Sequence, residues 1–419
     1  MHMRDTPPPA PQGPVTAPPI PPHAPLHRAE FIALMAMMAA TVAFSIDAML
    51  PGLAHIAADL SPEAPNRAQL VITAFLSGLG VGTLLAGPLS DSYGRRPVIL
   101  WGAAIYIGGA ALAMAADALD TLLFARAVQG LGAAAFRIVS LAIIRDTASG
   151  RDMARLMSFV MTVFALTPAM APLIGAGLIA LAGWRAVFAA FIVFAALLSG
   201  WIILRLPEPL PPARRSRFRL RPLVIAARSV VAHPVTRRAI AVQMLAMTTL
   251  FTSLSVVQPT FDITFGRGAE FPLWFFGMAL VAGSASLVNA RLVGRLGMVR
   301  MVRGALRVQV GLTALAILAW VIGLPPGAQF AVFLVWQTGV FMQAGLTLGN
   351  LNALAMAPMG AIAGMAASVT GAVATLGSVA LAIPIGQLFD GTPMPAHLGV
   401  LAAVLAGLML LHDLRGKDL

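Results

Sequence analysis

GPLSDSYGRRPVIL, residues 87–100, joins two apolar runs of about twenty residues each. A bilayer-crossing helix needs ~20 mostly apolar residues, so the stretch reads as a tight polar hairpin between two membrane spans. Gly87 and Pro88 allow close packing where the first span ends, Gly94 permits the turn, and Pro97 suits the first turn of the next helix. Asp91 is expected beside that helix's positive N-terminus, where an anion is stabilised. Arg95 and Arg96 hold the hairpin at one membrane face.

The rest of the chain agrees. Of 419 residues, 59% are hydrophobic and 11% charged, and mean hydropathy is +0.86. Soluble domains carry about 25% charged residues, so an all-α integral membrane protein is expected. The net charge is +12, with Lys417 the single lysine. Arginines between apolar runs mark topology rather than nucleic-acid binding. Absence of cysteine excludes disulfides, thiolate metal sites and cysteine nucleophiles.

Twelve spans are expected near 31–51, 68–89, 97–116, 122–144, 156–181, 185–205, 239–262, 271–293, 302–323, 328–352, 361–388 and 395–412. Residues 1–28 are proline-rich and read as a disordered cytoplasmic tail. Residues 29–205 form an N-terminal six-helix bundle and 239–413 a C-terminal one. Between them, 206–238 is an arginine-rich cytoplasmic linker, and 414–419 a short cytoplasmic tail. The linker carries Arg214, Arg215, Arg217, Arg219, Arg221, Arg228, Arg237 and Arg238. Short arginine-rich loops stay on the cytoplasmic side, so both termini are expected inside. Two six-helix halves suggest duplication, a plan shared by secondary transporters. GRLGMVR (294–300) stands after span 8 where DSYGRRP stands after span 2; only the turn glycine is retained, and Gly294 replaces Asp91.

The spacing Gly87-x-Leu89-x-Asp91-x-x-Gly94-Arg95-Arg96 resembles the loop 2–3 signature of the major facilitator superfamily, with Ser92 in place of the usual arginine. Arg126-x-x-Gln129-Gly130-x-Gly132-Ala133-Ala134 is similar to its fourth-helix motif. Pro168-x-x-Ala171-Pro172-x-x-Gly175 resembles its antiporter motif, with Ala171 and Ala176 replacing glycines. SIDAMLPGLAHIAADL (45–60), IIRDTASGRDMARLMSFVM (143–161) and NARLVGRLG (289–297) resemble the Bcr/CflA branch of drug:proton antiporters. The resemblance implies the major facilitator fold and a latch role for Gly87, Asp91, Gly94, Arg95 and Arg96.

Ionisable groups inside the hydrocarbon cost roughly 3 kcal/mol or more and face cavities or partners. Asp47 and Arg126 both lie roughly 6–8 Å below the outer rim at 1.5 Å per residue. Equal depth permits an ion pair between spans 1 and 4, which the resemblance implies are neighbours. Asp47 matches an acid the branch uses in proton coupling; it is expected to carry the proton, with Arg126 modulating it. A static pair locking two helices is the alternative. Arg137, about 16 Å deeper, departs from the branch's small residue. It is a candidate for an anionic or strongly hydrogen-bonding substrate group, or it reaches a water-filled vestibule. Gln129, Phe44, Gln258 and Gln337 are further substrate-site candidates, although helix packing is an ordinary use of buried amides.

No GxxxxGK[ST] loop, HExxH or other catalytic or metal-ligand spacing is present. The expectation is not an enzyme, with no cofactor and no metal, and with work drawn from an ion gradient. The function expected is proton-coupled efflux of small, mainly apolar drugs across a bacterial cytoplasmic (inner) membrane by alternating access. The alternative is a proton-coupled metabolite or nutrient transporter of the same fold. Expected partners are a small-molecule substrate, protons and the lipid bilayer, with no nucleic acid and a monomeric state.

Overall fold

A computed structural model describes residues 26–148 and 150–412. Most of the proline-rich tail and residues 413–419 lie outside these described residues.

Among the described residues, twelve helices are long and apolar enough to cross a membrane. The first half holds α1 (Arg28–Asp47), α2 (Leu53–Leu60), α3 (Leu70–Tyr93), α4 (Arg95–Met114), α5 (Leu119–Thr147), α6 (Gly150–Ala182) and α7 (Arg185–Arg205). Next comes α8 (Leu220–Ala232), a short helix within the arginine-rich segment that the sequence reading treated as plain linker. The second half holds α9 (Pro234–Pro259), α10 (Phe271–Leu296), α11 (Met298–Val321), α12 (Pro326–Met356), α13 (Ala363–Gln387) and α14 (Met394–His412). Side chains such as Leu181, Leu197, Leu204 and Met409 are 70–85% exposed. Water would penalise that much bare apolar surface; hydrocarbon does not.

Two helices are interrupted at corresponding places in the halves. Span 1 breaks at Pro51: α1 ends at Asp47, Leu50–Gly52 form a 3-10 turn, and α2 completes the crossing. Span 7 is broken after Pro259, where Thr260–Thr264 widen into a π turn. Proline removes an intrahelical donor and its ring crowds the preceding turn, which accounts for the break before Pro51; in span 7 the widened turn follows Pro259 instead. Four residues before each proline stand Asp47 and Ser255. The Leu50–Gly52 turn and α2 both touch α9, so the two breaks lie where the halves meet.

The halves are joined chiefly by α3 against α13 and α6 against α10. At the linker-bearing end, a Cβ on Gly87 would lie 3.0 Å from the Ser368 hydroxyl. At the opposite end, Asn66 Nδ2 donates to the carbonyls of Gln387 (3.2 Å) and Phe389 (2.6 Å), and Gln387 Nε2 donates to the Asn66 carbonyl (2.8 Å). This clasp ties the two halves together at the face remote from the linker.

Candidate functional site

Arg126 is fully buried in α5. Its guanidinium donates to the Ser45 carbonyl (2.9 Å), the Val71 carbonyl (3.3 Å) and Gln129 Oε1 (2.6 Å). The Phe75 ring lies 4.5 Å away, a cation–π distance. One side chain thus braces α1, α3 and α5. The expected Asp47–Arg126 ion pair is not formed, and the reason is helical geometry. The Ser45 hydroxyl meets Tyr106 Oη of α4 at 2.6 Å, so Ser45 faces α4 and α5. Asp47, two residues on, is rotated about 200° around the helix.

Asp47 is 5% exposed and forms no ion pair or hydrogen bond through its carboxyl group with any described residue. It shares its helix face with Ala36, Ala40 and Ala43. The next residue, Ala48, is approached so closely by Gly175 of α6 that its carbonyl leaves no space for a Cβ there. Gly175, with Pro168 and Pro172 inside the same helix, therefore seats α6 directly beside the acid-bearing break.

Arg137 lies eleven residues beyond Arg126, on nearly the same face of α5. It is half-buried, 5.9 Å from the Phe164 ring of α6, and no carboxylate among the described residues pairs with it. Gln129 Nε2 is buried without a hydrogen-bond partner among the described residues once its oxygen is given to Arg126. Gln337 Nε2 donates to Ser253 (3.1 Å), and its buried Oε1 has no partner among the described residues. Gln258 is buried but forms no hydrogen bond with Gln337. Phe44 points elsewhere. Its ring packs on Phe191 (5.4 Å) and Phe194 (5.8 Å) of α7. It lines an open apolar groove of about 370 Å³, with Met37, Thr167 and Met170.

The 87–100 stretch is built differently from the expected hairpin. Helix α3 runs through Tyr93, and Gly94 alone separates it from α4, at a φ of +106° that favours glycine. Gly297, the matching turn of the second half, has φ +81°. Asp91 consequently sits in the last turn of α3 and pairs with the Arg95 side chain at 2.6 Å. The anion at the N-terminus of α4 is Glu208, which accepts the backbone N–H groups of Arg95 (2.8 Å) and Arg96 (3.0 Å). Arg95 is buried and also donates to Asp146 of α5 (2.8 Å) and Ser90 (2.6 Å). Arg96 donates to the Ile203 carbonyl (2.7 Å).

Sequence reasoning missed Asp146, Glu208 and the Asn66–Gln387 clasp. Asp146 lies within the quoted 143–161 run and Glu208 is the one acid of the linker, so each had a visible signal; neither spacing revealed the partner.

The family model for the Major Facilitator Superfamily matches residues 32–385. The chain is 36% identical over 184 residues to an uncharacterized MFS-type transporter, YdgK, of Bacillus subtilis, covering 43% of this chain and 46% of that protein. It is 28% identical over 283 residues to a bicyclomycin resistance protein homolog of Haemophilus influenzae, covering 67% and 70%. To the multidrug resistance protein MdtL of Vibrio parahaemolyticus it is 32% identical over 167 residues, covering 40% and 42%. The matched stretches thus span under half the length of YdgK and MdtL. A partially occluded inward-open structure of the xylose transporter XylE from E. coli superposes with a TM-score of 0.71 at 12% identity, covering 92% of this chain and 96% of that one. At that identity the likeness concerns the fold.

Proposed function

The chain belongs to the Major Facilitator Superfamily, a family of transporters rather than enzymes, and from that premise we propose that it exports small, mainly apolar compounds in exchange for protons. The relatives named for bicyclomycin and multidrug resistance support this choice over metabolite or nutrient transport.

The observation that carries the coupling scheme is Asp47: a carboxyl group buried at the break of the first span, without a partner among the described residues. Interrupted helices near the repeat interface are where secondary transporters hold their coupling ions. Asp47 takes a proton when the outer side opens and releases it when water reaches it from the linker side. Arg126 supplies a fixed positive charge nearby and holds α1 in place, rather than closing an ion pair. Arg137 offers its free guanidinium to a polar or anionic group of the substrate, with Gln129, Gln258 and Gln337 as neutral donors and acceptors. Phe44 belongs to the groove beside α6 and α7. The Asp91–Arg95–Asp146 cluster, with Gly87, Gly94 and Arg96, latches the linker face.

The linker face is cytoplasmic, with both termini inside, in a bacterial inner membrane. The two bundles, 29–205 and 239–413, rock about the central site in a monomer. Expression in a pump-deficient bacterium, with and without Asp47→Asn, against a broad antibiotic panel tests this reading. Resistance that requires the acid supports export. Silence across drugs with uptake of a metabolite selects the alternative.

A further inference from the structure

We propose that α8 is an interfacial helix whose arginines bind the anionic phosphodiester headgroups of the leaflet on the linker face. At 13 residues and ~1.5 Å per residue it is about 20 Å long, too short to cross the bilayer. Its inner face, Leu223, Ala226 and Val230, is buried where α8 packs on α13, α9 and the Ala357–Ile362 turn. Its outer face is not the polar surface of a soluble linker. Val224, Ile225 and Val231 are 49%, 50% and 59% exposed, and Arg221 and Arg228 project between them, two turns apart.

The charge of the segment is also left open. Eight arginines lie within residues 206–238 against one acid, Glu208. Both oxygens of Glu208 are already engaged by the first turn of α4. Arg217, Arg219, Arg221 and Arg228 pair with no carboxylate among the described residues. An apolar face interleaved with arginines, held beside the ends of spanning helices, matches an anionic bilayer surface: the aliphatic groups dip into the acyl boundary while the guanidinia reach the phosphates. A nucleic acid or acidic protein would satisfy the charge and leave the three aliphatic side chains in water.

The test uses the purified full chain in a neutral detergent, titrated with short-chain phosphatidylglycerol and, separately, short-chain phosphatidylcholine. Wild type should prefer phosphatidylglycerol. Arg221→Gln with Arg228→Gln should weaken that binding about thirtyfold, while Arg221→Lys with Arg228→Lys keeps most of it. Equal affinity for the two lipids, or unchanged binding by the glutamine variant, would each overturn the proposal. Because the readout is lipid affinity, it is independent of whether transport follows the scheme above.

Discussion

Glu208 caps α4 from a distance of more than a hundred residues, with its two carboxylate oxygens on the backbone N–H groups of Arg95 and Arg96. The segment after α7 is thereby tied to the turn between α3 and α4, and the Ser216 N–H to Asp91 carbonyl bond (3.0 Å) repeats the tie. Anions at helix N-termini satisfy orphan donors and the helix dipole together. Glu208→Ala should therefore cost about 1 kcal/mol, read as a lower melting temperature of the solubilised protein. Glu208→Gln should keep part of the loss back, because its one amide oxygen still accepts.

Arg95 is shared by Asp91 and Asp146. Asp91→Asn and Asp146→Asn should each slow transport with little change in substrate affinity. The double variant should fall short of the product of the two effects, since both act through one guanidinium. A large affinity loss in either single variant would place these acids in the substrate site instead.

Gly175 presses on the Ala48 carbonyl, whereas Gly177, two residues on, has open space around it. Gly175→Ala should push α6 off the acid-bearing break, lowering thermal stability and proton-driven transport together. Gly177→Ala should alter both little, which makes the pair an internal control.

The Asn66–Gln387 clasp joins the halves at the remote face. Asn66→Ala with Gln387→Ala should favour the state open on that face. The chain contains no cysteine, so one introduced beside Ser255 would report the change as faster labelling by a membrane-impermeant maleimide. An unchanged rate would mean that the clasp does not set the equilibrium.

Much of this architecture was legible because hydrocarbon is an unforgiving solvent. Twelve apolar runs and the arginine-rich break can be read from composition alone, and the turn glycines Gly94 and Gly297 from position. Partners across the fold were less legible. Arg126 does reach span 1 within two residues of Asp47, at Ser45, but position along a helix leaves the angle about it undetermined. That angle sends Arg126 to the Ser45 carbonyl and leaves Asp47 alone. The sequence places Asp91 at the start of α4 because the expected span ends at 89, where α3 continues four residues further, through Tyr93. The helix α8 is hard to read because its three-to-four-residue apolar spacing is short and sits inside an arginine-rich segment.

The most direct measurement is export from proteoliposomes under an imposed pH gradient, using a compound the protein recognises, for wild type and Asp47→Asn. The account predicts gradient-driven export by wild type and none by the variant, with equal insertion and melting temperature. Undiminished gradient-driven export by the variant would contradict it.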